Sequence, residues 1–473
     1  MPSAPHDAVV VGGGHNGLVA ATLLGRAGRS VLVLERSSHL GGAAVSQQVF
    51  PGVDARLSRY AYLVSLFPRT LLEQLGVNVE LRPRRPARAL EAQGRLQPLV
   101  DRAAKSVFPT LTEPLRSRDE LCALVGDDAA WEALFELPIG ETLEQAIDDD
   151  GIRGELATDA LIGTFADLHD ADLRQNRCFL YHVLGGEWCV PVGGMGALTA
   201  ALASAARDTG AELRTGEEVT AIQTDGENAE ITCADGATHT AHHVLANVAP
   251  TVLARLTGDP ATEPPPEGAQ LKLNMLVTRL PRPLEGGTES FRGTFHVNEG
   301  YDQLQRAYAE AADNQIPATP PCELYCHSLT DPSIVPRGHH TLTLFGLHMP
   351  ARLFATDPES AKQAAVKATL ESVNSNLAEP LEDCLAVDAD GRPCLEALTP
   401  TDIEQQLAMP GGHIFHGDLT WPFAESDHEL GGWGVETRHA NVWLCGAGAR
   451  RGGCVSGIPG HNAARAVLDQ LLP

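Results

Sequence analysis

The 473-residue sequence has no apolar run near the roughly 20 residues that a membrane-spanning helix needs, which argues against a transmembrane chain. It has no CxxC pair among its ten cysteines, which counts against a flavin-disulfide reductase and points to buried thiols in a reducing compartment. The nearest pair, Cys322 and Cys326, is spaced CxxxC with no second ligand pair at zinc-site spacing. Basic residues are also in deficit. Against 61 Asp and Glu there are 35 Lys and Arg, a formal charge of -26, which argues against nucleic acid and against strong docking on anionic lipid. Weak peripheral contact with a membrane at a substrate-channel mouth stays compatible with that charge. The first residues, MPSAPHDAVVVGGG, lack a basic segment and run straight into a strand, so no secretory signal and a cytoplasmic location are expected.

What the sequence does have is a nucleotide-binding beginning. Residues 7–12 (DAVVVG) read as a buried parallel strand. Gly12-x-Gly14-x-x-Gly17 follows, then a helix from His15 to about Ala27 and a second strand from Ser30 to Leu34 that ends at Glu35. Gly12 permits the tight turn, Gly14 lets backbone approach a pyrophosphate, and Gly17 allows close helix–strand packing. His15 and Asn16 open the helix, whose N-terminus offers free N–H groups and a positive dipole to phosphate. Glu35 stands where a carboxylate accepts from ribose hydroxyls. Arg36 follows it, and Gly41-Gly42-Ala43-Ala44 completes an ExxxxxGG pattern.

Residues 110–184 carry apolar positions at helical spacing with acids between them, and predict a helical lobe. After PVGGMG at 191 come an alanine-rich helix to about Arg207, a strand from Glu218 to Thr224, and turns at Asp225-Gly226 and Asp235-Gly236. A strand from Thr240 to Ala246 then runs into Asn247. No second strand–GxGxxG–helix unit follows, so no NAD(P)H domain is expected. A Pro-rich piece near 259–267 reads as a hinge. Residues 268–350 (LKLNMLV, RGTFHVN, CELYCHS, HTLTLFGLH) predict a mixed or antiparallel sheet with one helix near 301–313, and a further helix is expected at 358–376.

The C-terminal stretch NVWLCGAGARRGGCVSGIPGHNAARAVLDQLL predicts a strand at Val442–Cys445, a glycine-dense loop through Gly446 and Gly448, and a helix starting near Gly457. Its N-terminus, at Val455, Ser456 and Ile458, would direct N–H groups at an electron-rich acceptor. Arg450, Arg451 and Cys454 are the candidates for facing the reacting centre. His339, His340, His413 and His416 follow no HExxH-type spacing, so no metal site is expected.

Taken together, the two N-terminal fingerprints, PVGGMG and CGAGARRGGCVSG resemble the phytoene desaturase (carotenoid desaturase) superfamily. LERSSHLGGAAVSQQVFPGV, SLTDPSIVPRGHHTLTLFGLHMP and PGGHIFHGDLTW resemble its phytoene-dehydrogenase-like, pyridine-nucleotide-disulfide-oxidoreductase-domain branch. The resemblance implies FAD and an α/β fold: a discontinuous glutathione-reductase-type Rossmann FAD domain with an inserted mixed-sheet substrate domain and a helical lobe. The expected boundaries are 1–90, 185–262 and 430–473 for the FAD domain, 91–184 for the lobe and 263–429 for the substrate domain. It places Val219 as a backbone contact near the adenine, and implies a lipophilic, polyene- or isoprenoid-like substrate. The chain departs from the pattern at Ala43, Cys454 and Arg450-Arg451, near the expected isoalloxazine.

Flavin chemistry asks little of side chains, because N5 accepts the hydride and the protein orients and tunes. The expected activity is therefore an FAD-dependent dehydrogenase, desaturase or oxidase, with oxygen or a quinone as electron acceptor. Two alternatives stand beside it. One is an amine-oxidase-like enzyme with an aromatic cage, for which Trp188, Trp421 and Trp433 are the candidates. The other is a non-catalytic prenyl-lipid-binding module of the same fold. Cys454 is read as a packing residue, a thiol on the flavin face, or a covalent flavin link.

Overall fold

The computed structural model describes residues 5–84, 96–260 and 264–471. Residues 85–95, and residues 261–263 of the expected hinge, lie outside the described residues. The first strand, β1 (His6–Val11), buries four consecutive residues, Ala8 to Val11, as a strand covered on both faces must. It leads through the glycine turn into α1 (His15–Arg26) and then β2 (Val31–Glu35), every residue of which is buried.

Seven strands form the first sheet. The order runs Glu212–Thr215, β2, β1, Thr238–Ala246, Ala229–Cys233 and Val219–Thr224, with Val442–Leu444 also on Thr238–Ala246. Pairs around β1 and β2 are parallel, and so is the pairing with Val442–Leu444. The two hairpins at Asp225-Gly226 and Asp235-Gly236 are antiparallel, as the turn residues predict. Helices Met195–Asp208 and Ile458–Gln470 pack against α1. Gly460 makes the second approach feasible, since a Cβ there would stand 2.0 Å from the Asn16 carbonyl oxygen. The distant C-terminus is thus held directly against the N-terminal turn.

The second sheet has five strands, ordered Phe295–Val297, Cys322–Tyr325, His340–Gly346, Leu271–Val277 and Leu395–Leu398. Every pair is antiparallel, so of the two expected sheet types the antiparallel one is found, and Leu395–Leu398 is a strand the sequence pattern did not predict. One face is apolar and packs under helix Pro358–Asn374, through Leu271, Leu273, Leu324, Leu342 and Leu344. The opposite face carries His296, Glu323, Lys272, Tyr325 and Asn274, because residues two apart share a face and directly paired residues stand side by side. Antiparallel strands with one buried apolar face and one polar face need something to cover the second. Here a cavity lies over it.

A third core is helical, with Leu96–Val107, Arg118–Val125, Ile139–Ala146, Asp150–Ala157 and Arg174–Leu184 packed around Leu134, Phe135, Phe179 and Tyr181. Ser117 and Glu120 close a reciprocal capping box at one helix start, and Asp149 caps another through the Ile152 amide. No described helix is long and apolar enough to cross a membrane.

Candidate functional site

A cavity of about 640 Å³ runs from the β1–α1 turn to the polar face of the second sheet. Its outer end is made largely of backbone. Gly12 adopts φ +100°, and a Cβ there would meet the Asn247 carbonyl oxygen at 2.6 Å. Gly14 faces the Asn247 amide, and Gly17 packs on the Gly12 carbonyl, where a Cβ would stand 2.3 Å away. Gly41 donates its amide to the Gly13 carbonyl at 2.9 Å, which brings the second glycine doublet onto the first turn. Gly42, also at positive φ, lies against Gly14. A side chain at any of these positions would push apart the backbone turns that form this end of the cavity.

Glu35 holds this end together. Its buried carboxylate accepts from the Gly13 amide and from the Ser37 amide, each at 2.7 Å, leaving lone pairs directed at the cavity it lines. Asn247 donates to the Gly12 carbonyl at 3.0 Å. Arg36 and Tyr60 reach Gln406, so the segment around Leu407 and Met409 covers the outer rim. The donor set fits an adenine dinucleotide: free helix N–H groups, an acid lining the cavity, and glycines that let the turns close on one another and leave backbone facing the ligand space. The buried Asn16 Oδ1 and His15 Nε2 have no hydrogen-bond partner among the described residues and stand on the wall of the same cavity. Burial pushes the His15 imidazole down to about 4, with a hydrogen bond at the Cys454 backbone working the other way, so the ring is neutral.

Of the expected contacts, Gly12, Gly14, His15, Asn16, Glu35, Arg36, Gly42, Ala43, Val219, Asn247, Cys454 and Val455 line the cavity. Gly17, Gly41, Ala44, Gly446, Gly448, Ser456 and Ile458 stand behind it and shape it. Gly446 and Gly448 pack tightly on Val248 and Pro250, and the Ala44 carbonyl accepts from Thr199 at 2.8 Å. Ser456 Oγ accepts the Ile458 amide at 3.3 Å, which begins the C-terminal helix.

The two arginines are elsewhere. Arg451 is 1% exposed at φ +62°, and its guanidinium donates to the carbonyls of Thr110, Glu113 and Trp433. Arg450 pairs with Glu425 and Glu429, each at 2.7 Å. Neither lines the cavity. The flavin-facing role expected of them is corrected: both tie the C-terminal loop to its neighbours, because a buried guanidinium demands several acceptors and finds them in backbone. The tryptophans are dispersed. Trp188 lines the cavity and stacks on His182, Trp421 packs with Phe135 and Phe423, and Trp433 donates to Asp469.

The inner end is made of side chains that the motif reading did not single out. Strand register aligns His296, Glu323, Phe345 and Lys272 in one row across the sheet, and all four line the cavity. Lys272 is 2% exposed, its Nζ has no hydrogen-bond partner among the described residues, and it lies 4.4 Å from the Tyr62 ring centre. Burial depresses its pKa to about 7, with the Glu396 carboxylate opposing. Glu323 is buried and accepts from the Tyr325 hydroxyl. Burial first, then Glu299, lifts its carboxyl well above the usual range. Burial also raises Asp159, on the opposite wall, to about 6. The signal was present: a lysine in the apolar run LKLNMLV and a glutamate in CELYC are charges inside fully buried strands.

The model of the family described as "Flavin containing amine oxidoreductase" matches residues 17–384. An uncharacterized protein of Mycobacterium tuberculosis is 47% identical over 98% of this chain and 97% of its own length. A Mus musculus protein described as pyridine nucleotide-disulfide oxidoreductase domain-containing protein 2 is 29% identical over 98% of this chain and 94% of its own. A limonene dehydrogenase component of Castellaniella defragrans is 36% identical over 21% of this chain and 19% of its own length. Among solved structures, a putrescine oxidase variant aligns with TM-score 0.59 at 16% identity, covering 99% of both chains. Cyclohexylamine oxidase from Brevibacterium oxydans aligns with TM-score 0.56 at 16% identity, covering 99% of this chain and 100% of that one. At these identities the two oxidases share the fold.

Proposed function

The chain belongs to the flavin-containing amine oxidoreductase family and is an FAD-dependent oxidoreductase, and within that family we propose that it oxidises a largely lipophilic metabolite by hydride removal. The observation that carries this reading is the continuity of the cavity. One space joins a glycine-built dinucleotide cradle to a chamber lined by Leu156, Ile162, Val183, Ile414 and Phe415 together with Asp159 and the buried Lys272 and Glu323. FAD, when bound, supplies the two-electron acceptor.

The residues of the chain orient and exclude. The glycine turn, Glu35 and Asn247 hold the nucleotide from the outer side. Apolar walls expel water and favour a carbon-rich body, the character expected of a dehydrogenase or desaturase acting on a polyene- or isoprenoid-like compound. Lys272, whose buried ammonium is brought down to about 7, holds or releases a proton at Nζ inside the chamber. Oxygen or a quinone is the proposed electron acceptor, since the sequence carries one strand–GxGxxG–helix unit. The partial likeness to the limonene dehydrogenase component supports an apolar substrate class.

Amine oxidation is the second reading, favoured by the family and by the shared fold of the putrescine and cyclohexylamine oxidases. Anaerobic mixing of the FAD-loaded protein with limonene, longer polyenes and isoprenoids, cyclohexylamine or putrescine separates the two. Bleaching of the flavin by terpenoid or polyene probes supports the main reading, and bleaching by the amines alone replaces it with the second. A colourless protein that does not take up FAD sinks both.

A further inference from the structure

Glu323 lines the inner chamber from the strand Cys322–Tyr325. The Tyr325 hydroxyl donates to one of its oxygens, and the other lies 3.9 Å from His296 Nδ1. That nitrogen is hydrogen-bonded to Glu299, whose Oε1 is buried without a hydrogen-bond partner among the described residues, and Glu299 as a residue is only 4% exposed. Tyr62 packs on Tyr325 with ring centres 5.1 Å apart, and Lys272 Nζ sits over the Tyr62 ring. Two buried carboxylates thus share one imidazole at the wall of the cavity, with the Arg84 guanidinium over the Tyr325 ring as the next cation. A buried carboxylate that must share its cation with a second carboxylate takes up a proton more readily than an exposed one.

We propose that Glu323 is the proton acceptor of the oxidation, with Tyr325 and the His296–Glu299 pair positioning it. This rests on the reading that the cavity holds FAD and an oxidisable substrate. A substrate that loses a hydride, with both electrons, to the flavin must also lose a proton as the new double bond forms. That proton passes to a Glu323 oxygen, making the neutral acid. It leaves when the acceptor, oxygen or a quinone, takes the two electrons together with two protons, one from the reduced flavin and one from the protein. Burial alone would lower His296, but the Glu299 and Glu323 carboxylates outweigh it and lift the imidazole to about 9, so the imidazolium persists beside Glu299, whose own carboxyl burial pushes up. Lys272 is two strands away, about 10 Å across the sheet with Phe345 between them, and is a separate proton site. The charged and titratable groups facing Glu323 are Tyr325 on its own strand, His296 and Glu299 beside it, Arg84, Tyr62 and Lys272 around the chamber, and Asp159 and Glu155 on the helical wall.

An infrared pH titration of the FAD-loaded protein, from about pH 5 to about pH 9, reads the acid directly. The wild type is expected to show a buried carboxylic acid that ionises above the usual carboxylate range. Glu323→Gln removes that band. Asp159→Asn leaves it, which separates Glu323 from the raised carboxyl on the helical wall. Tyr325→Phe moves its midpoint to higher pH, because the hydroxyl donor favours the anion. Glu323→Gln keeps its flavin but is bleached about 10²- to 10³-fold more slowly by whichever terpenoid or amine probe reduces the wild type, and the rate loses its rise with pH. An acid band that survives in Glu323→Gln, or an unchanged bleaching rate, overturns the proposal. So does a stoichiometric divalent metal in the purified wild type held by His296, Glu299 and Glu323, whose ligand atoms lie within 4.8 Å of one another. The visible spectrum of the same samples reports flavin, so a protein without flavin sinks the functional reading, whereas a flavin-loaded Glu323→Gln with wild-type behaviour sinks only the assignment of the base.

Discussion

The two ends of the cavity are built from different material. The nucleotide end is backbone: Gly12, Gly14, Gly41 and Gly42 set its shape, and Glu35 binds amides. The inner end is side chain: His296, Glu323, Lys272, Tyr325 and Tyr62 project from strands and loops that meet only in the folded protein. A site made of backbone tolerates few added atoms, since a single Cβ collides with the neighbouring turn and distorts the cradle. A site made of side chains tolerates substitution of shape but not of proton affinity. The two ends should therefore fail differently when mutated.

The largest effect belongs to the backbone end. Gly12→Val is expected to abolish flavin binding, because it forces a β-branched residue to φ +100° and drives its Cβ to within 2.6 Å of the Asn247 carbonyl. The purified variant should be colourless while retaining the helical content of wild type by circular dichroism. A yellow Gly12→Val protein would contradict the placement of the diphosphate at this turn.

Lys272→Met should do the reverse, keeping the flavin and slowing turnover by about 10²-fold. It also has a stability signature with a defined sign. The folded value of about 7 lies below the ordinary lysine value of 10.5, so between these the unfolded chain binds more protons and wild-type stability rises with pH. Below about pH 7 the folded protein carries the full penalty of a buried charge. The gain in Tm of Lys272→Met over wild type should therefore be greatest below about pH 7 and vanish above about pH 10, measured by calorimetry across that range. A constant difference would mean that Lys272 is not buried as a free amine.

The same contrast explains what could be read from the chain alone. The outer end lies within a short stretch of sequence, and glycine spacing encodes backbone geometry locally, so Gly12, Gly14, Gly17 and Glu35 were legible in order. The C-terminal helix was legible too, although its closeness to α1 depends on Gly460 meeting Asn16. The inner row was not. His296, Glu323, Phe345 and Lys272 become neighbours only through the register of four antiparallel strands, and no local spacing reports register. Arg450-Arg451 misled for the opposite reason. Adjacent charges in a glycine loop look exposed and reactive, yet Arg451 lies in the left-handed region and points inward to three carbonyls.

Arg451→Met should accordingly lower stability by about 3 kcal/mol, the order expected when buried carbonyls lose a charged donor, with flavin content at saturating FAD unchanged. Denaturant unfolding of the FAD-loaded protein measures it. Glu35→Gln sits between the two ends in severity. It retains one oxygen for the Gly13 or Ser37 amide and replaces the other with a donor, which should weaken FAD binding about tenfold, about 1.4 kcal/mol, without changing the rate of bleaching once FAD is bound.

The smallest expected effect is at Cys454, which lines the cavity between the two ends. Burial alone pushes its thiol up to about 12, so the nucleophilic thiolate is scarce at neutral pH. A side chain at φ +50° gains nothing from its backbone either. Burial favours packing over a covalent flavin link or a reactive thiol. Acid denaturation should release all the flavin into the supernatant, and Cys454→Ala should change bleaching and stability by no more than about twofold and about 0.5 kcal/mol. Cys454→Gly, free of the left-handed strain, should match wild type or exceed it slightly. Flavin retained by the acid precipitate would instead show that the chain can activate this sulfur despite its burial, and would make Cys454 the one place where the side-chain end reaches across to fix the cofactor held by the backbone end.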